Sequence, residues 1–366
     1  MTKNKPYQEA VELLQKLIAI PSFSKEEDKT ADVIEQFFKY KSIPSNRLLN
    51  NVWCVNKYFD QTKSTLLLNS HHDTVKPNPQ YTKDPFSPII EDEKLFGLGS
   101  NDAGGCLVSL IAAFCHFYER KNLKYNLVIA ATAEEEISGV NGIEKLLALA
   151  GSNSQILSGV EGRGLAGAIV GEPTLTNLAI AEKGLLVLDC TTTGKAGHAA
   201  REEGENAIYK AMLDINWFQN FQFPKVSESL GPVKMSVTSI DTENKAHNVV
   251  PAACSFIVDI RVTDVYTHEE ILEIIKEHVQ SELKPRSMRL RSSKIEKGHP
   301  LVLAGIKLGK QTYGSPTTSD AALIPAPVLK CGPGNSARSH TADEFIYLKE
   351  IEEGINTYIK ILEQVV

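Results

Sequence analysis

The sequence predicts an α/β fold: a doubly wound, mostly parallel sheet with a smaller α+β unit inserted into it. Three observations carry that expectation. Wholly apolar runs such as Leu66-Leu67-Leu68 and NLVIAATA at 126–133 read as strands buried on both faces. Helical spacing returns between these runs, so strands and helices alternate as in a parallel sheet. Near residue 182 the texture changes to the alternating, β-branched LLVLDCTTTG, and after residue 292 the first texture returns. The expected division is therefore 1–181 with 292–366 as one discontinuous domain and 182–291 as the insertion.

The elements follow in order. Residues 7–19 carry apolar positions at helical spacing, and Pro21-Ser22 breaks them. Ser24 to Glu27 reads S-x-x-E, a capping box for a second helix reaching Tyr40. A strand is expected at 65–70, a helix at 103–119 opened by Gly104-Gly105, a strand at 126–133, a helix at 141–150 and a short strand at 168–171. The insertion reads as strand, helix at 204–219, strands at 233–240 and 253–262, helix at 268–283 and strand, which is one helical layer on one sheet. A helix from Leu348 closes the chain.

Composition narrows the function classes. A chain of 366 residues, 42% hydrophobic and 23% charged, has the make-up of a globular protein of about two domains. A net charge of −6 argues against broad nucleic-acid or anionic-membrane binding. The basic run KPRSMRLRSSKIEK at 284–297 reads as a solvated strand. Six scattered cysteines without a Cys-x-x-Cys pair fit a reducing compartment. The N-terminus lacks a signal-type apolar core, and the apolar run 107–117 is too short to span a bilayer. The expectation is a soluble, cytoplasmic protein that binds neither nucleic acid nor membrane.

The chemistry gathers at predicted strand ends. His71 ends the first buried strand, Asp102 lies in the loop GLGSNDAGG, Glu135 and Glu136 end ATAEEE, and His340 lies in GPGNSARSHTADE. Ligands of parallel sheets bind at the carboxyl ends of strands, and imidazole and carboxylate suit a catalytic zinc site. Each residue also has a bland reading: a core histidine, a helix cap, a solvated face. His72 is assigned to that bland class, a satisfied core or surface histidine. Convergence of the others on one sheet edge favours metal binding. Gly162-x-Gly164-x-x-Gly167 resembles a dinucleotide loop but precedes a strand and a proline, so it is discounted. No nucleophile elbow or phosphate loop occurs.

In their order, His71-His72-Asp73, GSNDAGG, AEEE, GEPT and SHTADE make the chain resemble the zinc-dependent aminoacylase and carboxypeptidase family that includes acetylornithine deacetylase and succinyl-diaminopimelate desuccinylase, with the acetylornithine deacetylase branch nearest. The resemblance covers essentially the whole chain. It implies His71, Asp102, Glu136 and His340 as ligands of one or two Zn²⁺ ions, or Co²⁺, with Asp102 bridging. It implies Asp73 as the carboxylate behind His71 and Glu135 as general base. It also places a further ligand, an aspartate, six positions before the Glu of Gly-Glu-Pro; that position is Ala166, with Glu161 a conceivable substitute. The insertion becomes a lid and dimerisation domain. Its His198, in TTTGKAGHAA, stabilises the tetrahedral intermediate, and Asn248 and Arg261 bind substrate, although His198 also reads as a turn histidine and Arg261 as a sheet-surface ion pair. No role is assigned to Ser319-Asp320. The function implied is metal-dependent removal of an acetyl or succinyl group from an N-acyl amino acid, such as N-acetylornithine or N-acylcitrulline in arginine biosynthesis, by a homodimer. The alternatives are a dipeptidase or carboxypeptidase of the same family and a metal-poor binding protein, the latter motivated by Ala166.

Overall fold

The computed structural model describes residues 5–148 and 164–366. Glu161, Gly162 and the last two residues of the helix expected at 141–150 lie outside the described residues. The chain divides into two compact units, Met1–Ile180 with Lys294–Tyr313 and Ser319–Val366, and Ala181–Ser293 with Gly314–Thr318.

The first unit is built on a nine-stranded mixed sheet. Six of its strands run in the order Asn46–Leu48, Asn51–Val55, Asn126–Thr132, Thr65–His71, Leu165–Val170 and Val328–Lys330. Thr65–His71 pairs in parallel with both neighbours, and the Val328–Lys330 strand continues the parallel set. All seven residues of Thr65–His71 and of Asn126–Thr132 are buried. Each leucine of the Leu66-Leu67-Leu68 run contributes about 1.5–3 kcal/mol by leaving water, so the sheet centre is fixed by burial and needs no polar edge. Helices Lys5–Ile18, Gly105–Phe117 and Leu348–Val365 contribute Leu14, Leu107, Phe114, Ile355 and Tyr358 to a core on one face. A smaller cluster with Trp53, Leu67, Val128 and Ile143 covers the other face. Chain order steps from the central Thr65–His71 strand to one neighbour and then to the other, which leaves a crevice at its carboxyl end.

The second unit is a four-stranded antiparallel sheet, Lys234–Thr242, Ala253–Val262, Gly184–Thr193 and Glu282–Pro285, with helices Ala207–Asn220 and His268–Lys276 sharing its core. Gly184–Thr193 and Ala253–Val262 alternate buried and partly exposed residues, as one-sided burial requires.

Two local expectations are corrected. Ser24 does not cap the second helix, which begins at Asp28. Its hydroxyl donates to Asp73 Oδ2 at 2.7 Å, and Glu27 is wholly buried, accepting from Lys25 N, Asn50 Nδ2 and Glu134 N. A long-range carboxylate outcompetes the local cap. The helix expected to 283 stops at Lys276 because Asp214 takes the backbone N–H groups of Gln280 and Ser281 and turns the chain into the edge strand.

Candidate metal centre

Three parallel strands deliver the site. His71 is the last residue of its strand, opposite Thr132 in register, and Glu135 follows three residues later. Glu172 lies two residues beyond Val170, the end of the strand on the other side. Ser70 Oγ donates to the Gly171 carbonyl and Gly171 N to the Asn69 carbonyl, which fixes the turn carrying Glu172 to the His71 strand. Asp102 belongs to the irregular turn Ser100–Gly104 before the helix Gly105–Phe117, where it leaves helical geometry (φ −119°, ψ 99°). Glu135 and Glu136 do not end a strand. They sit on a short helical turn, Glu135–Ile137, after Glu134 at φ +56°, so the turn rather than the strand pleat makes their side chains diverge. His340 is held at φ +60° in the late loop, a conformation rare outside glycine and typical of functional sites.

The side chains form two adjoining groups that share one carboxylate. His71 Nε2 lies 3.4 Å from Asp102 Oδ1 and 3.7 Å from Glu172 Oε1. His340 Nε2 lies 3.6 Å from Asp102 Oδ2 and 3.1 Å from Glu136 Oε2. One oxygen of Asp102 thus faces each imidazole. Ligand atoms of His71, Asp102 and Glu136 fall within 4.8 Å of one another. Donors bound about 2.0–2.1 Å from a tetrahedral ion stand about 3.4 Å apart. The contacts of 3.4–3.7 Å lie near that spacing, and the 3.1 Å contact of His340 with Glu136 is also a hydrogen bond.

The electrostatics agree. Four carboxylates, Asp102, Glu135, Glu136 and Glu172, converge on two imidazoles. Burial alone would lower the His71 pKa, yet Glu135, Asp102 and Asp73 drive it well above its ordinary value. The hydrogen bond with Glu136 leads the effects that raise His340 to about 9. Burial and the charges of Glu172, Asp320 and Glu136 hold the Glu135 carboxyl well above the carboxylate range, against the pull of His71. Positive charge among these carboxylates relieves their mutual repulsion. Divalent ions supply that charge more strongly, and the donor set fits them.

Supporting contacts explain the rest of the motif. His71 Nδ1 donates to the Asp73 carbonyl at 3.0 Å, with Asp73 Oδ1 at 3.4 Å, so Nε2 faces the centre. The Asp73 carboxylate mainly accepts from Glu135 N, Glu136 N and Ser24 Oγ and thereby sets the glutamate turn. His72 points the other way: Nε2 donates to the Asn50 carbonyl, Nδ1 meets Thr30 Oγ1, and burial lowers its pKa to about 4, as befits a core residue. Asp320 lies beneath the site, accepting from Asn69 Nδ2 and Thr132 Oγ1, and burial raises it to about 6.

Ala166 stands where the resemblance expects a ligand and carries no donor group. It is the second residue of Leu165–Val170 and packs against the core. Six residues of strand and turn span roughly 20 Å, so Ala166 has no place at the centre. The carboxylate that stands beside His71 is Glu172, at 3.7 Å, which sequence reasoning did not single out although it lies in the quoted Gly-Glu-Pro motif.

His198, Asn248 and Arg261 belong to the second unit. His198 pairs in register with Val249, and Ala199 N donates to the Asn248 carbonyl, so these two candidates are neighbours. His198 Nδ1 accepts from Ala200 N, which leaves Nε2 as the protonated nitrogen. Arg261 forms a two-pronged ion pair with Asp259, Nε to Oδ1 at 2.8 Å and an Nη to Oδ2 at 3.0 Å.

A family model described as peptidase family M20/M25/M40 matches residues 67–364. A succinyl-diaminopimelate desuccinylase of Orientia tsutsugamushi is 24% identical over 380 residues, 96% of this chain and 95% of that protein. An acetylornithine deacetylase of Buchnera aphidicola is 26% identical over 388 residues, 96% of this chain and 97% of that protein. Among solved structures, a Bacillus subtilis dinuclear metal binding peptidase from the M20 family superposes with a TM-score of 0.70 at 16% identity, over 98% of this chain and 97% of that one. No helix among the described residues is long and apolar enough to cross a membrane.

Proposed function

The chain belongs to peptidase family M20/M25/M40 and is a hydrolase of amide bonds, and from that premise we propose that it is a dinuclear metal-dependent deacylase of N-acyl amino acids. One observation carries the reading: the two oxygens of Asp102 face different imidazoles, each completed by its own glutamate. His71, Asp102 and Glu172 would hold one ion and Asp102, Glu136 and His340 the other, with zinc or cobalt suited to this donor set. Bound ions would polarise the amide carbonyl and acidify a water. Glu135 takes the proton of the attacking water and returns it to the leaving amine nitrogen. Asp73 keeps Glu135 and His71 oriented. The family resemblance gives His198 the role of donor to the developing oxyanion. The resemblance assigns Asn248 and Arg261 to substrate binding, and Arg261 would exchange its Asp259 partner for a substrate carboxylate.

Relatives named for succinyl and for acetyl substrates match at similar identity, so the acyl group is put to experiment. Glu172 beside His71 supports the metal-bound reading over a metal-poor binding protein. The test is free-amine release from N-succinyl-diaminopimelate, N-acetylornithine, N-acetylcitrulline and simple dipeptides, with Zn²⁺ or Co²⁺ and a chelator control. Chelator-sensitive release from an acyl-amino acid is expected. Release from dipeptides alone would move the activity to peptide hydrolysis, and none at all from folded, metal-loaded protein would end the proposal.

The same reading includes a homodimer formed through the second unit. Tyr209, Met212 and Leu213 share one face of helix Ala207–Asn220 and are 68%, 56% and 72% exposed, an apolar stripe of the kind that marks interfaces. Strand Lys234–Thr242 lies at an edge of its sheet. Light scattering should give twice the chain mass for the wild type and the chain mass for Leu213→Lys. A monomeric wild type at micromolar concentration would contradict the dimer.

A further inference from the structure

Glu344 is 2% exposed, and no lysine or arginine side chain among the described residues holds its carboxylate. Its carboxylate instead accepts three backbone N–H groups: Oε1 from Asn101 at 2.8 Å and Asp102 at 2.9 Å, and Oε2 from Gly99 at 3.2 Å. The Glu344 carbonyl accepts from Gly97 N at 3.0 Å, and Glu344 N donates towards Tyr81 Oη at 3.3 Å. The residue therefore holds the whole turn Gly97 to Asp102 from one side, and one of its bonds goes to the amide of Asp102 itself. It stands four residues after His340, whose loop is pinned separately by Arg338 to Glu350 and by Asp343 to Thr82 and Lys83.

We propose that Glu344 is a positioning residue that couples the Asp102 turn to the His340 loop and thereby sets the distance across which the two ions share Asp102. The inference rests on the dinuclear reading above. An outer carboxylate bonded to the backbone of a ligand fixes where that ligand's oxygens stand. In Glu344→Gln the amide nitrogen would confront a backbone N–H donor that the carboxylate now satisfies. The turn would then lose at least one anchor, and Asp102 its fixed reach to both sides. Metal affinity, which depends on where the Asp102 oxygens stand, should therefore fall further than metal-free stability, whereas a merely structural residue would lower both together.

The experiment measures the metal affinity of wild type and Glu344→Gln by competition with a chromophoric chelator, and the melting temperature with and without Zn²⁺. The expected result is an affinity loss of about 10–100-fold, a shrunken metal-induced rise in melting temperature, and a metal-free melting temperature close to that of wild type. Wild-type affinity in the variant, or a fall in metal-free melting as large as the fall in the metal-loaded form, would overturn the proposal. If Glu344→Gln does not fold, Glu344→Asp, which keeps the charge and shortens the reach, is measured in the same way. Wild-type affinity there would equally overturn it. A wild type that binds no ion would instead overturn the dinuclear reading.

Discussion

Glu135→Gln is expected to lower kcat for amide hydrolysis by about 10²–10⁴-fold while the circular dichroism spectrum and bound metal stay as in wild type. Glu136 and Glu135 are adjacent, but only Glu136 stands within ligand spacing of Asp102 and His71. Glu135 Oε2 is 3.9 Å from His71 Nε2, and its side chain is 12% exposed, at the rim of the cluster. Its backbone N–H is tied to Asp73 Oδ1 at 3.1 Å, which fixes the side chain's origin. Burial, followed by the charges of Glu172, Asp320 and Glu136, holds its proton more tightly than an ordinary carboxylate would, with His71 opposing. That is what a base drawing a proton from water requires. Glutamine keeps the volume and removes the basic oxygen. Turnover at the wild-type rate would sink this mechanism.

Asp102→Ala is expected to abolish tight metal binding at both positions and to take activity below detection. Asp102 is the carboxylate that faces both His71, at 3.4 Å, and His340, at 3.6 Å. Without it, His71 keeps Glu172 and His340 keeps Glu136, two donors on each side, where a catalytic site uses three. The remaining carboxylates would also repel one another with less cation to bind. Glu136→Ala, which strips only the His340 side, should retain one ion. Activity measurements run beside metal analysis separate the two variants, and an Asp102→Ala protein that keeps both ions and hydrolyses substrate would contradict the bridging role.

The part of this site legible in the sequence is the part set by burial and topology. His71 stood out because a leucine run has no reason of its own to end in an imidazole, and parallel pairing then carried Glu135 and the Gly-Glu-Pro turn to the same edge. Glu172 was overlooked because a ligand was sought at a fixed offset along the chain. The sheet instead places Ala166 four residues before the strand end and Glu172 two residues after it. Glu344 gave no signal because its partners are backbone amides more than 240 residues away, and a backbone N–H reads the same under any side chain. Ser24 illustrates the converse. S-x-x-E is a valid local cap pattern, but Asp73, 49 residues on, offered its hydroxyl a buried carboxylate. The helix overrun beyond Lys276 has the same origin, since Asp214, 66 residues upstream, captures the amides that would have extended it.

The central claim, two ions sharing Asp102, is tested most directly by measuring bound Zn²⁺ per chain after dialysis for the wild type beside Asp102→Ala. Two ions in the wild type and none in the variant is the expected result. A wild type that retains no ion, or a variant that retains both, would contradict it.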